Sequence, residues 1–113
     1  MKVRVVDGIT IIDIEERLIG SRSIDLNNET KKQIEKFAEG EVKLILNLKK
    51  CNMIDIPGLG VIVASHTKTE RHGGRVVLLG IHGNIKGLMA MMIKLLSIFD
   101  RYDDEEEAIA SFG

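Results

Sequence analysis

Few residues in this chain have the chemistry to bind or react, and most fall in one stretch, Cys51-Asn52-Met53-Ile54-Asp55-Ile56-Pro57-Gly58-Leu59-Gly60-Val61-Ile62-Val63. An apolar run, Leu44-Ile45-Leu46-Asn47-Leu48, precedes it, and Leu59, Ile62 and Val63 follow at helical spacing. The stretch therefore reads as a strand, a connector and a helix start. Asp55 suits that start, because a carboxylate accepts the orphan amide protons of a first turn and is favoured by the positive dipole end. Pro57 suits it as well, since the N–H it lacks would have had no helical partner. Gly58 and Gly60 allow close backbone approach. A strand that runs into a helix N-terminus can also hold an anion, but the same glycines read equally as tight packing of helix on sheet.

Other reactive groups form no constellation. His66, His72 and His82 are not spaced as a metal pair, and His66, three residues after Val63, falls on an apolar helical face as a structural histidine would. Cys51 has no Cys-x-x-Cys partner and reads as a small core residue; as the only cysteine it forms no internal disulfide, which fits a reducing compartment. A Walker lysine motif and a serine nucleophile elbow are both missing. Asn47 stands where a response-regulator receiver would carry its acceptor Asp, and the paired acids near the first strand of that family are absent too. With no nucleophile–base pair and no metal set, an enzyme is not expected, nor is a cofactor or a metal. Met89, Met91 and Met92 read as core, with Met91 and Ile93 able to leave an apolar contact spot. Asp103 to Glu107 reads as a solvated helix start.

These residues must be positioned by a small fold. The 113 residues suffice for one domain, 1–113, that buries roughly two-thirds of its unfolded surface. Hydrophobic residues make up 44%, charged residues 29% and aromatics only 4%, so the core is aliphatic. A net charge of -1 argues against a nucleic-acid surface. No run approaches the roughly 18 apolar residues that span a bilayer, and no secretory h-region is seen. A soluble, cytoplasmic protein without membrane insertion is expected.

Val3 to Val6 and Ile9 to Ile14 are β-branched runs around Asp7-Gly8, a two-residue hairpin signal. Glu15 to Ser23 reads as a polar connection, with Leu18 and Ile19 extending a strand or plugging the core edge. A helix is expected from about Asn27 to Glu39, capped by Asp25, Asn27 or Asn28, with Thr30, Ile34, Phe37 and Ala38 on one face and Gly40 as its stop. Lys43 to Leu48 and Arg75 to Ile81 read as buried strands, and between them a helix runs to about His72, ended by Gly73-Gly74. Asn84 is expected to cap a third helix carrying Ile85, Leu88, Met89 and Met92. Ile98-Phe99 reads as an edge strand, and Asp103, with Glu106 three residues on, as the start of a last helix whose inner face is Ala108, Ile109 and Phe112. The order is α/β: a mixed sheet of about five strands with about four helices, in which Leu46, Leu59, Ile62, Val77 and Leu88 meet in one core.

The run L-I-L-N-L-x-x-C-N-M-I-D-I-P-G-L-G-V-I-V resembles the STAS domain, found in anti-sigma factor antagonists and in sulfate-transporter tails. Asn47-Leu48, Ile54-Asp55 and Gly58-Leu59-Gly60 match the pattern of that family, and the similarity continues through Gly73-Gly74-Arg75-Val76-Val77-Leu78 and Glu106-Glu107-Ala108-Ile109. Gly20 to Asp25 resembles the family's loop before its first helix. The resemblance covers essentially the whole chain and implies a STAS-like single domain. It implies a regulator that binds a serine-kinase-like anti-sigma factor and thereby frees a sigma factor in a bacterial cell. The implied contacts are Ser23, Asp25, Met53, Asp55, Ile56, Pro57, Gly58 and Leu59. One position departs: the residue just before Gly-Leu-Gly is the Ser or Thr that the family's kinase phosphorylates, and here it is Pro57, which has no hydroxyl. Phosphorylation at the family position is therefore not expected. Two other roles stay open, a small STAS subunit docked on a transport ATPase and a nucleotide or small-ligand sensor at Pro57-Gly58. A monomer or weak dimer is expected.

Overall fold

The computed structural model of the chain describes residues 1–37, 40–91 and 95–113. Five strands form one sheet in the order β1 (Lys2–Val6), β2 (Ile9–Asp13), β3 (Lys43–Asn47), β4 (Arg75–Leu79) and β5 (Asp100–Tyr102). β1 and β2 are antiparallel and the remaining pairs are parallel, so the sheet is mixed. The hairpin turns at Asp7 and Gly8, both at positive φ (52° and 78°), the backbone geometry for which Asp-Gly is suited. The parallel strands are joined by α1 (Arg22–Lys36), α2 (Ile56–Arg71) and α3 (Gly83–Met91), with the short α4 (Leu95–Ile98) before β5 and α5 (Glu105–Ala110) after it.

The two-residue period of the strands divides the core. Ile12, Leu44, Leu46, Val76 and Leu78 point to one face and pack with Leu26, Leu59, Ile62, Ile85 and Met89 of the three connecting helices. Ile9, Ile11, Ile45, Val77 and Leu79 point to the other and pack with Ala108 of α5. The single core expected from Leu46, Leu59, Ile62, Val77 and Leu88 is thus two. Val77 lies on the far face because it is one residue out of step with Leu46's partner Leu78.

Other boundaries also differ from the sequence reading. α1 begins at Arg22, so Asp25, Asn27 and Asn28 lie inside it and Ser21 holds the N-cap position. Its buried stripe is Ser23, Leu26, Thr30 and Gln33, a helical repeat hidden by polar residue types. Ser23 is tolerated inside because its hydroxyl donates to the Gly20 carbonyl at 2.9 Å. Ile98 belongs to α4 and Phe99 is buried, its ring edge against His66 at 4.8 Å; the edge strand starts one residue later. Asp104, not Asp103, caps α5 by accepting from the Glu107 N–H at 3.0 Å. Met91 is exposed. Ala38, Glu39, Met92 and Ile93, which the sequence reading placed in or beside helices, lie outside the described residues.

On the α5 face the sheet edge is fastened by charge. Arg4 of β1 donates to both oxygens of Asp13 (2.8 and 3.1 Å), and its remaining N–H groups reach both oxygens of Glu105 at the start of α5. The Asn47 amide also donates to Asp13 at 2.8 Å. Burial pushes the Asp13 carboxyl up, but the bonds from Arg4 and Asn47 outweigh it and hold the group below the usual range. The Arg4 bond does the same for Glu105. Both folded pKa values are depressed, so this stabilisation is complete above the ordinary carboxylate value of about 4 and is lost as pH falls through the folded values. Arg4→Met is therefore expected to flatten the decline of melting temperature below about pH 4. An acid limb identical to that of the wild type would show that the triad contributes nothing to folding.

Candidate functional site

The chain leaves β3 at Asn47 and turns through Cys51, whose N–H donates to Leu48 and whose thiol contacts the Met53 carbonyl at 3.5 Å. Burial pushes that thiol's pKa up, which makes it a core group and a poor nucleophile. Met53 to Asp55 then run extended beside the segment Leu18 to Gly20. The Leu18 N–H donates to Met53 O at 2.9 Å, the Asp55 N–H donates to Leu18 O at 3.3 Å, and Leu18 bridges Ile54 in parallel. On the other side the Asn84 amide accepts from the Ile54 N–H and donates to the Ile54 carbonyl, both at 2.9 Å. Asn84 therefore does not serve as the outside cap that its sequence position implies. It sits in the first turn of α3 and clamps the connector as a third strand would.

Asp55 fastens two helices at once. Its Oδ1 accepts from the Gly58 N–H at 2.8 Å, capping α2, and its Oδ2 accepts from the Gly20 N–H at 2.9 Å, two residues before α1. The Gly20 and Gly58 amides hold its carboxyl below the usual range. Gly58 is required by packing, since a Cβ there would lie 2.5 Å from the Leu18 carbonyl oxygen and 2.8 Å from Ile54 Cγ1. Gly60 faces open space. The same arrangement speaks against an anion site, because the Gly58 amide is occupied and a carboxylate already stands at the dipole end.

The joined helix starts form a rim made of residues 18–24 and 53–59. Of the residues expected to contact a partner, Ser23, Gly58 and Leu59 are buried and shape the rim from beneath. Asp25 and Pro57 are exposed, and Asp55 is half-buried. Ile56 is 63% exposed and Met53 42%, so two large apolar side chains of the rim meet solvent. Ile24, 60% exposed on α1, joins them; the sequence reading missed it because it began that helix only at about Asn27. Its signal was the stripe Ser23, Leu26, Thr30, from which Ile24 is offset toward solvent.

His66 is buried on α2 with Nε2 3.2 Å from Glu70, a structural placement. Among the described residues no group of three or more His, Cys, Asp or Glu could hold a metal ion. No helix among them is long and apolar enough to cross a membrane.

A family model for the STAS domain matches residues 1–108. No curated protein matches the chain. Among solved structures, a candidate anti-sigma factor antagonist of Thermotoga maritima superposes with a TM-score of 0.86 at 22% identity, covering 97% of this chain and 92% of that one. The Bacillus cell fate determinant SpoIIAA, an anti-sigma factor antagonist, superposes in its phosphorylated form with a TM-score of 0.76 at 19% identity, covering 99% and 98%. A sulfate transporter family protein of Wolinella succinogenes gives 0.73 at 17%, covering 96% and 87%.

Proposed function

The chain belongs to the STAS domain family, and from that premise we propose that it is a non-enzymatic regulator of the anti-sigma-factor-antagonist kind, which docks a serine-kinase-like anti-sigma factor through the rim. The observation that carries this reading is the exposure of Ile24, Met53 and Ile56 on the rim, where Asp55 fastens the starts of α1 and α2 and Asn84 clamps the connector between β3 and α2. Apolar side chains on a preorganised backbone bind with little ordering cost, which is how few residues come to dominate an interface. Partner and rim meet without chemistry, so Pro57 is no handicap to docking. It fixes the backbone at the start of α2, and the chain stays competent to bind without a hydroxyl there. The similarity to a sulfate transporter family protein is one of fold.

Ile56→Asp should weaken binding of the kinase-type anti-sigma factor from the same genome by about tenfold or more, because a carboxylate must be desolvated where an isobutyl-sized group was buried. The melting temperature should hardly move, since the side chain is in water in the free protein. Calorimetric titration of both forms reads this directly. Equal affinities with an intact fold would place the docking surface elsewhere.

A further inference from the structure

The backbone groups of the connector alternate in direction, as in a strand. The Met53 carbonyl and the Asp55 N–H turn toward Leu18, while the N–H and carbonyl of Ile54 turn the other way and both go to the Asn84 amide. Asn84 reaches solvent, yet its amide stands in for a neighbouring strand. The rest of the loop between β4 and α3 is fitted to the same connector. The His82 Nε2–H donates to the Lys49 carbonyl at 2.8 Å. Gly83, at φ 60°, lies so near that a Cβ there would sit 2.8 Å from the Asn52 carbonyl oxygen. Behind Asn84 the loop is anchored, since Ile85 and Met89 of α3 are fully buried in the core. The connector is therefore held between two fixed elements, Leu18 on one side and α3 on the other.

We infer that Asn84 is the positioning residue of the docking rim. The inference deepens the docking reading and rests on it. Ile54 itself is buried and meets no partner. Exposed Met53 precedes it and exposed Ile56 follows shortly after, so the course of the backbone at Ile54 decides where both side chains stand. With the Asn84 amide in place that course is fixed before a partner arrives, and docking has no backbone to order there. Without it the Ile54 N–H and carbonyl turn to water, the connector is held from Leu18 alone, and each docking event must first restore its course. Affinity then falls although no contact with the partner is removed.

The test compares the full chain with Asn84→Ala and with Ile11→Val, a control that trims the core on the α5 face, away from the rim. Amide hydrogen exchange is followed in the free proteins, and affinity for the anti-sigma factor is measured by calorimetric titration. In Asn84→Ala the Leu18 and Asp55 amides, whose bonds Asn84 does not make, should exchange about tenfold or more faster than in Ile11→Val. Affinity should fall about fivefold or more in Asn84→Ala and stay at the wild-type value in Ile11→Val. Protection of Leu18 and Asp55 that survives Asn84→Ala would overturn the inference whatever the affinity, because Asn84 would then be a contact of the partner or no part of the rim. So would an unchanged affinity with both amides open. An equal loss of affinity in Ile11→Val would also overturn it, by tracing the effect to stability alone. Failure of docking itself is read separately, from the affinity of wild type against Ile56→Asp, and the exchange measurement needs no partner.

Discussion

Ile62→Ala is expected to lower the free energy of unfolding by about 2–5 kcal/mol. Ile62 is fully buried on the inner face of α2, in the core that Leu44, Leu46, Val76 and Leu78 form beneath the connecting helices. Its neighbours come from strands and helices that are each fixed by other contacts, so they cannot close over the space left by the lost carbons. The loss is therefore the transfer energy of those carbons plus a cavity cost. The urea midpoint should fall with the slope unchanged, since the surface exposed on unfolding stays nearly the same. A midpoint equal to that of the wild type would mean that α2 turns another face to the sheet.

Gly58→Ala is expected to cost about 1–3 kcal/mol although it adds a single methyl group. That carbon would sit 2.5 Å from a backbone oxygen, that of Leu18, which cannot rotate away. The start of α2 must then move off the Leu18–Gly20 segment, and the movement loosens the Asp55 bonds to Gly20 and Gly58 together. Docking and stability should fall in parallel, unlike Ile56→Asp, which separates them. Gly60→Ala is the control. With open space around it and a helical setting, it should be neutral or stabilise by about 0.5–1 kcal/mol. If Gly58→Ala were as stable as Gly60→Ala, the close approach to Leu18 would be wrong.

The parts of this fold that were legible in the chain are those where residue type and period agree. Asp7-Gly8 specifies a hairpin, Leu44 to Leu46 and Val76 to Leu79 read as buried strands, and Asp55 before Pro57 marks a helix start that the structure contains. What the chain concealed depends on partners far away in sequence. The first turns of α1 look like a loop because Ser23 is polar, and only the Gly20 carbonyl makes its burial possible. Asn84 looks like a cap because Asn is a good one, yet Ile54, 30 residues earlier, offers it both a donor and an acceptor. Burial at the rim was equally hidden: Met53 and Ile56 are no more apolar than Leu59, and only the packing of α2 decides which of them meets solvent.

The most direct test of the docking account is an amide chemical-shift titration of the isotopically labelled chain with its unlabelled anti-sigma factor. The account predicts the largest changes at Ile24, Asp25, Met53, Asp55 and Ile56, with Arg4, Asp13 and Glu105 on the opposite face of the sheet unmoved. Changes centred on β1 and α5, with the rim silent, would contradict it.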